Sequence, residues 1–170
     1  MRLQEIIRVP ASDMDERRIR EGIRTCLSVK RRVIGRIKQV VVSCGEDGNE
    51  QFYLFAENRI AAGFAILHRA TIAGITGHYV TEIGLLDDYR FRGIGIAFYH
   101  LLLNQGATLF SGGTQTPDSE RVWRKLLSDP SITIRMSDWT AGPDDPTMTL
   151  DPLAVDPWSQ FDYRLMAHRA

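Results

Sequence analysis

Cysteine, net charge and long apolar runs are all scarce in this chain, and each scarcity removes a class of protein. Only two cysteines, Cys26 and Cys44, occur in 170 residues. They show neither CxxC spacing nor a companion histidine cluster, so a disulfide scaffold and a structural zinc site are excluded and two reduced thiols are expected. Basic and acidic side chains balance at 21 each, which argues against a surface built as a whole for nucleic acid or for an anionic membrane. No run approaches the roughly 18 apolar residues that span a bilayer, and the opening MRLQEIIRVP is too short and too charged for a signal peptide. The expectation is a cytoplasmic protein with no metal, no membrane and no nucleic-acid partner.

What is present is ordinary globular material: 44% hydrophobic and 25% charged residues. The length suits one domain over 1–170 with a real core. Charge is uneven along it, however. Residues 1–40 are rich in arginine and lysine, whereas Asp138, Asp144, Asp145, Asp151, Asp156 and Asp162 fall in a stretch without a basic residue. Two readings fit: halves that complement each other in the fold or in a homodimer, or a basic patch for an anionic partner.

The periodicity predicts a mixed chain. Leu3–Val9 reads as a strand, and Ser12 and Asp13 offer N-cap oxygens with Asp15 and Glu16 in the first turn. Met14, Ile19, Ile23, Leu27, Ile34 and Ile37 recur at helical spacing, which predicts a helix over 14–36. Strands are expected at 38–43, 51–56, 59–69 and 78–86, separated by a loop at 45–49, a turn at Glu57-Asn58 and a loose connection over 71–77. The period then changes from 2 to 3.6, and Ile94, Ala97, Phe98, Leu101 and Leu102 mark a helix over 94–105 closed by Gly106. A short strand at 108–111, a helix over 117–127 with proline and acids at its start, a strand at 132–136, an irregular Asp/Pro-rich loop over 137–157 and a strand at 161–168 complete the order. The class is α+β, with a mostly antiparallel sheet.

The most informative stretch is Tyr79–Gly95, YVTEIGLLDDYRFRGIG. A strand runs into Arg90-Phe91-Arg92-Gly93-Ile94-Gly95, and a helix follows at once. Glycine lets backbone approach an anion closely, and the first turn of a helix presents N–H groups without intrahelical acceptors. The helix dipole and two arginines add positive charge, so this is a candidate pyrophosphate site. A Walker loop, GxxxxGK[ST], is absent. A dinucleotide fingerprint would need a third glycine where Phe98 stands and an acid about 20 residues later.

The segment resembles the GNAT superfamily of acyl-CoA-dependent N-acetyltransferases, whose signature is [RQ]-x-x-G-x-[GA] between its fourth strand and third helix. Arg90, Gly93 and Gly95 fill it, and Tyr89 and Arg92 match frequent choices. The resemblance is best over 78–127, and SGGTQTPDSERVWRKL (111–126) resembles phage-encoded members. It implies a twisted sheet of six to seven strands flanked by helices, with acetyl-CoA as co-substrate and an amine as acceptor. It further implies that the amides of Phe91, Arg92, Gly93, Ile94, Gly95 and Ile96 hold the CoA pyrophosphate. The backbone of Leu85 and Asp87 would pair with the pantetheine arm, the Leu85 N–H polarising the thioester carbonyl. Ser111 and Thr114 stand where the family often places a pantetheine-binding Asn, although a strand end and a turn explain them equally well.

An amine of pKa about 10 must lose a proton before it attacks. Glu82, three residues before Leu85, is where many family members carry an acid facing the acceptor, and alternation puts it opposite Ile83. An acid within an apolar strand is costly unless used or paired, so Glu82 is read either as base or amine-binding group, or as the partner of an arginine. The tyrosine that the family uses to reprotonate the thiolate is replaced by Trp123, whose indole cannot do so. Tyr99, Ser111 or water is left for that role, or CoA leaves as the thiolate. His68, His78, His100 and His168 are scattered over separate elements. The Asp-rich 137–156 segment is an expected attractant for a cationic amine or a basic protein N-terminus. A non-catalytic acyl-CoA-binding module is the alternative function.

Overall fold

The computed structural model describes residues 13–72, 74–111, 117–138, 149–150 and 163–170. Thr114, the Leu3–Val9 strand and most of the Asp-rich segment lie outside these residues. The described part is α+β, with a large, mostly antiparallel sheet of nine strands flanked by helices. Two compact units are distinguished. One comprises the described residues up to His68 together with Val80–Leu101, and the other comprises Arg69–Tyr79 with those from Leu102 onward.

The first unit opens with α1 (Asp13–Leu27), which is much shorter than the helix expected over 14–36. The Ser28 N–H and hydroxyl turn back onto Arg24 O and Thr25 O, and the Arg31 guanidinium donates to the carbonyls of Cys26 and Val29. With the last carbonyls of the helix satisfied, the chain leaves as β1 (Arg32–Ile37). Ile34 and Ile37 therefore belong to a strand, where their β-branched side chains are at ease. A meander follows: β2 (Val40–Asp47), β3 (Glu50–Glu57) and β4 (Ile60–Ile72), all paired antiparallel. Its connections are two-residue turns at Lys38-Gln39, Gly48-Asn49 and Asn58-Arg59. Asn58 and Arg59 have φ of 51° and 67°, the type I′ geometry that matches strand twist. The loop expected at 45–49 thus shrinks to two residues. Similarly, the loose connection expected over 71–77 is replaced by strand, since β4 reaches Ile72 and β5 (Ile75–Leu85) starts three residues later.

Four consecutive residues of β3, Phe52–Phe55, are buried. Alternation sends Phe52 and Leu54 to one face, where they join Ile19, Ile23 and Cys26 of α1 and Phe64 of β4. Tyr53 and Phe55 point to the other face and meet Phe98 of α2 (Ile94–Asn104) edge-on, with ring centroids 5.0 and 5.1 Å apart. Burial pushes the Cys26 thiol up to about 12 and raises the Cys44 thiol too, so neither is a ready nucleophile.

In the second unit, β6 (Leu109–Phe110) runs parallel to β5 at His78↔Leu109 and Tyr79↔Phe110, and antiparallel to β9 (Tyr163–Arg169). β9 pairs along its length with β7 (Ile132–Asp138), which carries the two-residue β8 (Thr149–Leu150) on its far side. α3 (Pro117–Leu127) has the bounds expected from its proline start, and it buries Trp123 and Leu126 completely or nearly so. β1 and β8 are the strands that periodicity did not foresee. Among the described residues no helix is long and apolar enough to cross a membrane, and no group of three or more His, Cys, Asp or Glu side chains is gathered as a metal site.

α1 touches the sheet through Gly22, where a Cβ would lie 2.2 Å from the tip of the fully buried Phe64 ring. In an open helix, Gly→Ala gains about 1 kcal/mol, but overpacking a core costs about 1–3 kcal/mol. Gly22→Ala is therefore expected to lose about 1 kcal/mol on balance, which melting by calorimetry would register as a fall of a few degrees.

Candidate functional site

The segment that carries the signature leaves the sheet at Leu85, the last residue of β5. The Leu86 N–H bonds to Ala62 O at 2.9 Å, and Asp87–Tyr89 form a single 3-10 turn closed by Tyr89 N–H to Leu86 O and Arg90 N–H to Asp87 O. The Arg90 side chain is largely covered and lies 3.5 Å from the Asp87 carboxylate. Asp87 is thus an exposed carboxylate whose backbone carbonyl already receives the Arg90 N–H.

Phe91 and Gly93 both take left-handed backbone, with φ of 61° and 74°. For Gly93 this is free of strain, and nothing lies within 4 Å of where a Cβ would be. For Phe91 it costs of the order of 1–2 kcal/mol. α2 begins at Ile94, which is buried, and its first hydrogen bond is Ala97 N–H to Gly93 O at 3.1 Å. The N–H groups of Ile94, Gly95 and Ile96 therefore precede the first intrahelical donor and have no acceptor within the helix. No acidic residue sits in this first turn to compete for the dipole. Gly95 likewise has open space where a side chain would stand.

Positive charge surrounds the turn. The Arg92 guanidinium lies over the Tyr89 ring at 5.2 Å and the Arg90 guanidinium over the Phe91 ring at 5.7 Å. Lys38, at the β1–β2 turn, reaches across 54 residues to donate its Nζ–H to Arg92 O at 3.2 Å. Sequence reasoning missed Lys38. It read Lys38 as the first residue of a strand over 38–43, whereas the residue stands in the two-residue turn before β2.

Glu82 lies on β5 opposite the fully buried Ile83, as alternation required, and faces α1. Arg18 donates to its Oε1 at 2.8 Å, with the Glu82 side chain 14% and the Arg18 side chain 45% exposed. Arg18 also lies 3.9 Å from Glu21. The acid in the apolar strand is therefore paired with an arginine, the arrangement that offsets its burial. Other arginines of α1 pair with their own helix, Arg17 with Glu21 and Arg20 with Glu16, so part of the basic N-terminal charge is balanced locally.

Tyr99 is buried inside α2, and burial pushes its phenol well above the usual range, which makes it a reluctant proton donor. In the second unit, Ser111 continues the β6–β9 ladder. Its N–H donates to Leu165 O at 2.8 Å and its hydroxyl accepts the Leu165 N–H at 2.8 Å. That is the strand-end role, and it engages the hydroxyl once. Trp123 is 1% exposed, a core side chain. The histidines lie on β4, β5, α2 and β9 without gathering.

Gly63, which the sequence reading passed over, controls where Leu85 can be. A Cβ on Gly63 would lie 2.3 Å from Gly84 O and 2.8 Å from the Leu85 side chain. The signal was a glycine inside the run IAAGFAIL, where a close backbone approach is the usual reason.

No protein-family model matches the sequence, and no curated protein matches it. Among solved structures the chain is similar to one described as Arabidopsis thaliana Naa50 in complex with bisubstrate analogue CoA-Ac-MVNAL, with 15% identity, 68% of this chain and 70% of that chain covered, and a TM-score of 0.37.

Gly63→Ala should displace the Gly84–Leu85 backbone. The expected result is a loss of about 1–3 kcal/mol in stability together with shifted Gly84 and Leu85 amide resonances. Unchanged resonances at those two positions would contradict the close approach.

Proposed function

We propose that the chain is an acetyl-CoA-dependent N-acetyltransferase of the GNAT type, moving an acetyl group to a primary amine of a small molecule or protein. One observation carries the reading. The chain passes from the end of β5 through Arg90-Phe91-Arg92 and a left-handed Gly93 into a helix whose first N–H groups face no competing acid. Such a turn suits a pyrophosphate, through fixed N–H donors, the helix dipole and flanking arginines.

In this reading the amides of residues 91–96 hold the pyrophosphate, and the backbone of Leu85 and Asp87 receives the pantetheine arm. The amine nitrogen attacks the thioester carbonyl carbon while the Leu85 N–H stabilises the oxygen that gains charge. The C–N bond forms and the C–S bond breaks. The amine proton passes to Glu82, directly or through a water, and the thiolate takes its proton from solvent, since Trp123 has none to give. Arg18 binds one Glu82 oxygen and so fixes the orientation of the carboxylate.

The Arg18–Glu82 pair and the buried Trp123 also favour a second reading, a module that binds acyl-CoA without turnover. Calorimetric titration with acetyl-CoA separates these readings from neither. Wild type is expected to bind in the micromolar range, and Gly93→Glu, which adds bulk and negative charge at a left-handed position, is expected to abolish the signal. Silence from wild type would defeat both readings. CoA release with a panel of amines then distinguishes them. Under the enzymatic reading Glu82→Gln lowers turnover at least about a hundredfold, the lower end of the range for a general base, while acetyl-CoA affinity holds. Binding without release of CoA by any amine supports the module.

A further inference from the structure

Phe91 is the most exposed of the large hydrophobic residues described, at 95%. It stands at the third residue before α2, between two arginines, with left-handed backbone that glycine or asparagine would hold more easily. Folding gains little from a phenyl ring there, because so little of it is covered. Arg90 lies over one face of the ring at 5.7 Å, and at 95% exposure the ring still presents π surface to solvent at the edge of the candidate anion-binding turn. The cationic groups of Arg90, Arg92 and Lys38 cluster on the same few residues.

A flat aromatic surface next to amide donors and several cations matches one ligand chemistry, a phosphate carrying a nucleobase. Every base has a π face that stacks on a phenyl ring, and the phosphates satisfy the amides and cations. We propose that Phe91 is the stacking platform for the base of the nucleotide whose phosphates the turn holds, so that this chain selects the complete CoA over its truncated arm. The inference rests on the acetyl-CoA reading above. It assigns to Phe91's side chain a role that the amides alone do not have.

The test is calorimetric titration of wild type, Phe91→Ala and Phe91→Trp with two probes. One is CoA, and the other is phosphopantetheine, which keeps the arm and a phosphate but lacks the base. Removing an aromatic platform should weaken CoA binding by about thirtyfold, the middle of the range for one stacked base. Phosphopantetheine binding should be unaltered, and Phe91→Trp should bind CoA at least as tightly as wild type. At so exposed a position the melting temperature of Phe91→Ala should stay within a degree or two of wild type. The proposal is overturned if Phe91→Ala binds CoA as wild type does, or if it loses CoA and phosphopantetheine to the same extent. Those outcomes leave the CoA site in place and remove only the stacking role. Failure of wild type itself to bind CoA overturns the underlying reading and this one together.

Discussion

β3 presents apolar side chains to both of its faces, and that double burial constrains everything built around it. Phe52 and Leu54 need a cover on one side, and Tyr53 and Phe55 need one on the other. α1 answers the first demand and α2 the second, the latter through Phe98 wedged against two rings. Once Phe98 is seated, Ile94 lies one turn upstream and is buried too. The first turn of α2 is thereby pinned to the core, and the chain between Leu85 and Ile94 has to fit between two fixed ends. Its left-handed residues, Phe91 and Gly93, are how it does so.

Electrostatics in this unit follow the packing. Glu82 sits in a strand whose neighbours are apolar, so its charge requires a partner within reach, and α1 supplies Arg18 from the face it has to occupy anyway. Arg17 and Arg20 of α1 are more exposed and are matched by glutamates one turn away, contacts worth only a few tenths of a kcal/mol each. The first pair bridges two elements and the second kind does not, which is why only Arg18 bears on the candidate site.

Much of this was legible from residues alone. α2 and α3 stand where a 3.6 period, a proline start and a Gly106 end placed them, because their apolar faces are decisive and their neighbours weak strand formers. Gly93 and Gly95 announced the turn. The helix over 14–36 misled because Ile34 and Ile37 continue the apolar spacing of α1. Periodicity is blind to the Arg31 guanidinium, which satisfies Cys26 O in the last turn of the helix and Val29 O just beyond it. Two-residue turns at Lys38-Gln39 and Gly48-Asn49 were also under-read, since strands that are hydrogen-bonded on both sides tolerate the Glu and Asp of 46–47 at an exposed hairpin end. The identity of Glu82's partner and the reach of Lys38 depend on contacts across 64 and 54 residues, which no local pattern encodes.

The Lys38 contact has an effect on direction. A trans peptide points its carbonyl oxygen and the following N–H to opposite sides of one rigid plane. By drawing Arg92 O toward Nζ, Lys38 turns the Arg92–Gly93 peptide plane as a whole, and the Gly93 N–H is aimed away from the lysine. A glycine linkage would otherwise rotate with little resistance. The β1–β2 hairpin thus acts as a set-screw on one amide of the turn, and under the proposed reading an anion would meet a donor already oriented, with less rotational freedom left to surrender on binding.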